Sequence, residues 1–183
     1  MEYWDLYDAQ NRKTGEILRR GDPMPSGRFH LVVHIALFAP DGRMLIQQRQ
    51  PFKSGWSNLW DVTVGGSAVA GEDSRTAAMR EVREEIGLTL DLREVRPTMT
   101  LYLPSCINDW YLLTRDVALD SLTLQASEVQ AVRWATQEEI LTMIAEKTFI
   151  PYEAGMIALL FHLHDHADTR TRRDDTAPTR ENP

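Results

Sequence analysis

Residues 66–88 read GSAVAGEDSRTAAMREVREEIGL, and this stretch decides the fold of the chain. Over residues 73–86 the pattern is helical, because Asp73 or Ser74 can cap the first turn and Gly87 suits the position after the last turn. Apolar residues recur along it at helical spacing, namely Ala77, Ala78, Val82 and Ile86. The sequence therefore predicts a helix that packs one face against a core.

Three glutamates share one face of this predicted helix. Glu81, Glu84 and Glu85 stand at i, i+3 and i+4, so that their carboxylates project together. Without a cation, each like-charged pair would weaken the helix by about a few tenths of a kcal/mol. A divalent cation removes this repulsion, and a site made only of oxygen ligands suits Mg²⁺ or Mn²⁺. We therefore expect a metal that bridges phosphate oxygens.

A solvated helix face is the alternative explanation for these glutamates. Surface glutamates often pair with nearby arginines, here Arg75, Arg80 and Arg83, and have no chemical role. The full spacing argues against this alternative, because the stretch matches every specified position of the pattern G-x5-E-x7-R-E-U-x-E-E-x-G-U, where U is apolar. A chance match in a chain of this length is expected on the order of one time in a million.

The pattern resembles the Nudix box, and the chain is similar to Nudix hydrolases over about residues 1 to 165. The resemblance implies an αβα sandwich and the hydrolysis of a diphosphate linkage, usually in a nucleoside diphosphate joined to another group, by attack of water on phosphorus. The metal ligands that it implies are Glu81, Glu84, Glu85 and the carbonyl of Gly65. Arg80 would orient a catalytic glutamate and Glu72 would support it, while Gly66 lets the backbone approach the ion or phosphate closely.

The sequence leaves the general base open. Glu81 and Glu84 are the candidates within the box. Outside it, Asp109 and Glu128 are candidates for a base or an extra metal ligand. For each of these two, an ordinary surface position is the more frequent fate of an acidic residue.

The segments around the box alternate between strand-like and helical patterns. Residues 1–20 predict an N-terminal β-hairpin, residues 29–39 and 44–46 predict an antiparallel pair, and residues 59–64 predict a short strand that stops at Gly65. Later strands are expected at 99–103, 110–113 and 129–134, and later helices at 136–147 and 152–164.

Strands interleaved with helices indicate one domain of α/β or α+β class, with a mixed central sheet, over residues 1–165. Residues 166–183 contain almost no apolar side chains and mix both signs of charge, so this tail is predicted to be disordered. The N-terminal hairpin could provide the interface of a homodimer.

Segments on either side of the box indicate a second possible function. They resemble the branch of the family that includes type I isopentenyl diphosphate isomerase, which moves a double bond by proton transfer. The segments concerned are 4–8, 19–21, 30–39, 41–49 and 58–60. That isomerase uses a cysteine just after its Leu-Trp strand and paired glutamates on a later strand. Here residues 61–66 contain no cysteine, the single thiol is Cys106, and the later region carries Asp109 without a glutamate pair. The sequence therefore favours hydrolysis over isomerisation.

Histidines and aromatic residues outside the box have simpler explanations than ligand binding. The isomerase holds metal through several histidines, whereas only His30 and His34 fall in a comparable region, and a packed, hydrogen-bonded side chain explains either one. Four aromatic residues could stack on a nucleobase, although core packing is the commoner fate: Trp56, Trp60, Trp110 and Tyr111. A non-catalytic nucleotide-sensing module with the same fold is a third alternative.

The composition of the chain excludes several classes of binding partner. The formal net charge is -7 and no long basic cluster is present, which disfavours binding to nucleic acid. No apolar run approaches the roughly 20 residues that span a bilayer. A single cysteine excludes an intramolecular disulfide, and the first residues do not resemble a signal peptide. We expect a cytoplasmic enzyme that acts on a small-molecule diphosphate.

Overall fold

The computed structural model describes residues 2–166 of the protein. The predicted disordered tail, 166–183, lies outside the described residues except for His166. In the described part, no helix is long and apolar enough to cross a membrane.

The strands and helices follow the predicted order along the chain. The strands are β1 Tyr3–Tyr7, β2 Lys13–Arg19, β3 His30–Phe38, β4 Met44–Arg49, β5 Trp60–Asp61, β6 Val64–Ser67, β7 Met99–Tyr102, β8 Cys106–Thr114 and β9 Val129–Ala135. The helices are α1 Ser74–Ile86, α2 Gln137–Ala145 and α3 Ala154–Asp165.

The sheet arrangement confirms the predicted fold class. β1 and β2 form an antiparallel hairpin of their own. The other strands form one mixed sheet in the order β5-β4-β3-β8-β7, with β6 added to β3 and β9 added to β4. β3 and β8 run parallel, and the other pairs are antiparallel. The hairpin exposes Ile17, which is 59% accessible, and its use as a dimer interface stays a prediction.

β3 lies between two layers of core because its side chains alternate between the faces of the sheet. Val33 and Ile35 pack in the cluster that contains the buried residues of α1, whereas Ala36 and Phe38 pack in the cluster that contains those of α2 and α3. Burial on both faces explains the near-continuous apolar sequence of this strand. The helices on the two faces make the αβα sandwich.

The predicted antiparallel pair of β3 and β4 is confirmed, but the pairing is short. The two strands pair only at their turn, where Phe38 faces Met44. Further along, β3 takes β6 and β8 as partners while β4 takes β5 and β9. The two strands therefore separate, and residues of both line a cleft beside α1.

Residues 59–64 form parts of two strands, β5 and β6, where the sequence predicted one. β6 also continues through Gly65 and Gly66, which the sequence predicted as its end. Between the two strands, the hydroxyl of Thr63 accepts the amide of Leu37 at 2.8 Å and donates to the carbonyl of Leu45 at 2.5 Å. This buried hydroxyl thus bridges β3 and β4 where they begin to separate.

β8 begins at Cys106 and is longer than the predicted segment 110–113. The added part of the strand includes two polar residues, Asn108 and Asp109. Both are buried inside the strand, where the hydroxyl of Thr100 donates to Asp109 at 2.5 Å and the amide nitrogen of Asn108 lies 3.4 Å from His34. These contacts offset part of the cost of burying the two side chains, while Oδ1 of Asn108 has no hydrogen-bond partner among the described residues.

Candidate active site

Both ends of α1 are fixed by local contacts. Asp73 caps the first turn by accepting the amide of Thr76 at 2.8 Å. Gly87 ends the helix with φ at 71°, in the left-handed region, and a side chain there would collide with a neighbouring loop. These caps set the start and end of the helix and hence the face on which the three glutamates lie.

Arg80 ties α1 to the loop before it. Its Nε and Nη2 donate to the two carboxylate oxygens of Glu72 at 2.7 and 2.9 Å, and Nη2 also donates to the carbonyl of Ser67. Its Nη1 lies 3.0 Å from Glu81 and 3.2 Å from Glu84. A bidentate arginine–carboxylate pair is geometrically specific, so Glu72 holds the guanidinium in contact with the other two acids.

The two glycines of β6 leave room for functional side chains. A Cβ added at Gly66 would overlap the carboxylate of Glu81, and one added at Gly65 would lie 2.9 Å from Nδ1 of His34. Glu81 can therefore approach the backbone only because residue 66 has no side chain. Neither position has room for the cysteine that isomerase chemistry needs in this region.

Burial raises the pKa of two of the three glutamates on α1. Desolvation raises the pKa of Glu81 to about 7, against the opposing effect of Arg80. Desolvation also raises the pKa of Glu85 to about 8, against a 2.9 Å hydrogen bond from the amide of Gln47. Glu84 is more exposed, with 45% of its side chain accessible. Buried carboxylates of raised pKa are groups that a divalent cation would stabilise in the ionised form.

The donor set fits a divalent cation in kind, but its side chains are not gathered around one point. Within residues 2–166, no three His, Cys, Asp or Glu side chains are close enough to hold a metal ion. Nη1 of Arg80 contacts both Glu81 and Glu84, and Glu85 accepts from Gln47. Metal binding would therefore replace some of these contacts. All-oxygen donors still match Mg²⁺ or Mn²⁺.

A cleft of about 440 Å³ lies along the glutamate face of α1. Its lining includes the three glutamates, Arg80, Gly65 and Gly66. Three basic residues from other segments also reach it: Arg20, Arg49 and Lys53. Basic side chains beside a carboxylate cluster can hold phosphate oxygens while the carboxylates hold a cation.

The structure separates the two candidates for a base outside the box. Glu128 lines the cleft, where Nζ of Lys53 donates to it at 2.6 Å. Asp109 does not line the cleft. Its side chain lies on the face of β8 that carries Ile107 and Tyr111, which belong to the core cluster beneath α1.

Comparison with known proteins decides the family. The NUDIX domain model matches residues 28–160. The chain belongs to the NUDIX family. An uncharacterised Nudix hydrolase of Listeria innocua is 43% identical over 152 residues, which are 83% of this chain and 90% of that protein. A second one, from Listeria monocytogenes, is 41% identical over the same shares. The protein is a Nudix pyrophosphohydrolase, and Nudix hydrolases generally use divalent metals and act on small molecules.

Structural comparison agrees with this assignment. The crystal structure of a Deinococcus radiodurans protein superposes with a TM-score of 0.72 and 26% identity, and the match covers 87% of this chain and 99% of that chain. An isopentenyl-diphosphate Delta-isomerase of Salmonella arizonae is 24% identical over 79% of this chain and 82% of that protein. The resemblance to the isomerase branch of the Nudix family is thus confirmed at the level of sequence.

Two polar residues at this Nudix site, one behind Glu85 and one in the cleft, were missed by the sequence prediction. Gln47 is 2% accessible and bonds Glu85, and Asp61 is 7% accessible and lines the cleft. They face each other as register partners on β4 and β5. A polar residue inside an apolar strand is the only signal that the sequence offers, and it does not say where the side chain points.

The four aromatic residues do not line the Nudix cleft. Trp110 and Tyr111 are buried, Arg133 lies over the ring of Trp60, and Trp56 is 55% accessible. Both histidines are packed as expected: His30 stacks on Trp4 and bonds the Ser105 carbonyl, whereas His34 stacks on Trp110. Burial lowers the pKa of His34 to about 4 and raises the pKa of the Cys106 thiol.

Proposed function

We propose that this Nudix hydrolase is metal-dependent and cleaves the diphosphate linkage of a nucleoside diphosphate, alone or joined to another group, by attack of water on phosphorus. The supporting observation is the composition of the cleft, in which the three glutamates of α1 lie in one cavity with Arg20, Arg49 and Lys53. A diphosphate needs both kinds of group, because its oxygens bind a cation on one side and basic side chains on the other.

In this proposal, Glu81, Glu84 and Glu85 hold Mg²⁺ or Mn²⁺, with the carbonyl of Gly65 as a further ligand. The bound ion would supply charge neutralisation at the leaving phosphate. Arg80 orients Glu81 and Glu84, since Nη1 touches both carboxylates.

Three acids remain as candidates for the group that takes the proton from water. Glu81 and Glu84 lie on α1, and Glu128 lies at the cleft with Lys53. A general base must come within hydrogen-bond reach of that water, directly or through one further water. Asp109 is less suited than these three, because it lies outside the cleft.

The isomerase alternative has less support. Its chemistry needs an acid and a base on opposite faces of an alkene, and the region of Gly65 and Gly66 has no room for a thiol. A non-catalytic sensor is disfavoured by the complete set of box carboxylates.

The test is hydrolysis of a panel of nucleoside diphosphate derivatives with Mg²⁺ and with Mn²⁺ at slightly alkaline pH, read as released phosphate or nucleotide. Glu85→Gln should lower kcat/KM by about a hundredfold, which corresponds to ~3 kcal/mol of lost charge stabilisation. The matched control is Glu138→Gln, because Glu138 is exposed on α2, outside the cleft. This variant should retain the wild-type rate.

Unchanged hydrolysis by Glu85→Gln would refute the assigned role of that carboxylate. If wild-type protein turned over no member of a broad panel, the sensor alternative would be favoured instead.

A further inference from the structure

Asp61 is a buried carboxylate of the cleft that neither the Nudix box nor the proposed metal ligands include. It ends β5 and is 7% accessible. Its register partner on β4 is Gln47, the residue that bonds Glu85. Register partners project from the same face of a sheet, so Asp61 lies beside the region where the diphosphate is proposed to bind.

The two oxygens of this carboxylate have different surroundings. Oδ1 accepts the hydroxyl of Tyr152 at 3.0 Å and the amide of Val62 at 2.8 Å. Within residues 2–166, Oδ2 accepts no hydrogen bond and Asp61 forms no ion pair. A ligand in the cleft that brings a donor to Oδ2 would therefore form a hydrogen bond with an acceptor that no described group of the protein occupies.

A distant segment holds Asp61 in place. Residues 148–150 run beside β5: the amide of Trp60 donates to the carbonyl of Thr148 at 2.9 Å, and the amide of Ile150 donates to the carbonyl of Trp60 at 2.8 Å. This contact brings Tyr152 to the carboxylate. The ring of Tyr152 packs against Trp110 with centroids 6.2 Å apart. Packing and hydrogen bonds therefore fix the direction of the carboxylate before any ligand binds.

The rest of the lining indicates what kind of group could reach Oδ2. Within the described residues, the cleft is lined by no Phe, Tyr or Trp, and Val32 is its one aliphatic side chain. A stacked nucleobase or an apolar prenyl group would find little matching surface there. Arg49 also lines the cleft and donates through Nε to the carbonyl of Gly55. The cleft thus offers cations for phosphate and an acceptor at Asp61.

We propose that Asp61 is a specificity-determining residue, which accepts a hydrogen bond from a neutral hydroxyl or amino group on the part of the substrate beyond the diphosphate. Tyr152 is a positioning residue, because it acts through Asp61. The inference rests on the proposed function for the placement of the diphosphate. The ligand must supply a hydrogen-bond donor to Asp61, and this donor is either a sugar hydroxyl or an amino group of the base.

Equilibrium binding tests this assignment without hydrolysis. The ligands are α,β-methylene analogues of nucleoside diphosphates, titrated by calorimetry with Mg²⁺ present. One pair compares a ribonucleotide with its dideoxy counterpart, which lacks the sugar hydroxyls, and the other compares cytidine with uridine, which lacks the amino group. Wild-type protein should bind the donor-bearing member of one pair about tenfold more tightly, as expected for one hydrogen bond to an acceptor in a buried site. The pair that shows the preference identifies the source of the donor.

Asp61→Asn is the decisive variant. Tyr152 and the amide of Val62 both donate, so they keep the amide oxygen in the Oδ1 position and turn the NH₂ group towards the ligand. The preference should fall to less than about twofold, because two donors now face each other. Methylenediphosphonate lacks the group that donates a hydrogen bond to Asp61, so its binding affinity should stay unchanged. Asp120→Asn, at an exposed site outside the cleft, should behave as wild type.

Tyr152→Phe keeps the carboxylate and removes one of its two donors, so it should reduce the preference partly and leave methylenediphosphonate binding unchanged. The proposal is overturned if the wild type shows no preference in either pair or if Asp61→Asn retains the preference. It is also overturned if Asp61→Asn weakens the binding of methylenediphosphonate as much as it weakens the binding of the donor-bearing ligand. If the wild type shows the preference but hydrolyses no substrate, the proposed function is wrong and the role assigned to Asp61 stands.

Discussion

At Gly66, the absence of a single side chain makes room for a carboxylate that the proposed chemistry needs. A Cβ there would overlap Glu81, whose carboxylate is also held by Arg80. Gly66→Ala should therefore displace Glu81 and lower kcat/KM by about a hundredfold, since misplacing a reacting group by an ångström has an effect of this size. Steady-state kinetics with Mg²⁺ would measure the loss.

Gly155→Ala is the matched control for Gly66→Ala. Gly155 lies near the start of α3 with nothing within 4 Å of an added Cβ. Alanine there should raise the stability by about 0.5 to 1 kcal/mol and leave kcat/KM unchanged. Equal loss of activity in both variants would show that the loss is not specific to the contact between Gly66 and Glu81.

Individual site residues were predictable where a local pattern carries them. Glu72, Arg80 and the box glutamates lie within one loop and one helix, so their closeness follows from local chain geometry. Gln47 and Asp61 were not predictable, because their meeting depends on the register between β4 and β5. A shift of one residue in that register would turn either side chain to the other face of the sheet.

Among the elements, α1 is defined by signals at its own ends. The sequence predicted residues 73–86, and the helix begins after Asp73 and ends before Gly87. The strands were less predictable because pairing is non-local. β3 and β4 separate after their turn, since each has a longer partner elsewhere, and no pattern within 29–46 indicates this. That separation forms the cleft.

The cap of α1 allows a test at this scale. Asp73→Ala removes the acceptor for the amide of Thr76 and should lower the free energy of unfolding by about 1 kcal/mol. Urea denaturation would measure it. Asp73→Asn keeps a hydrogen-bond acceptor, so it should lower the free energy of unfolding by less than Asp73→Ala does. The matched comparison is Thr136→Ala on α2, where Thr136 and Glu139 form a capping box.

Both alanine variants should be destabilised by a similar amount, but only Asp73→Ala loosens the first turn of the helix that carries the glutamates. It should therefore also raise the Mg²⁺ concentration needed for half-maximal activity. The same Mg²⁺ requirement in the two variants would indicate that the cap stabilises the fold without affecting the site.

Across the described residues 2–166, most acids with a shifted pKa are stabilised as carboxylates, and the buried acids of the cleft are the exception. Hydrogen bonds from Arg93 lower the pKa of Asp91 to about 2, and hydrogen bonds at the helix cap lower the pKa of Asp73. Such groups stabilise the fold above their unfolded pKa and lose this effect as pH falls through the folded pKa. Burial acts in the opposite direction on Glu81 and Glu85.

The stability of the metal-free protein should consequently fall as pH rises from about 6.5 to about 8.5. Glu81 and Glu85 have folded pKa values of about 7 and about 8, above the ordinary value of 4.5, so their contribution is complete below pH 4.5, decreases above it, and is lost once pH exceeds about 8. His34 has the opposite sign, but its folded pKa of about 4 and ordinary value of 6.5 confine its effect to lower pH. Urea unfolding with a chelator present would show the decrease.

Added Mg²⁺ should reverse this decrease, because the ion binds the ionised carboxylates of the folded state. Its stabilising effect should therefore be larger at about pH 8.5 than at about pH 6.5. A variant with Glu81→Gln and Glu85→Gln lacks these two ionisable groups, so over the same range its stability should depend much less on pH and on Mg²⁺ than that of the wild type. A Mg²⁺ effect of equal size at both pH values would mean that the ion binds elsewhere, and the buried acids would then need another explanation for their place in the cleft.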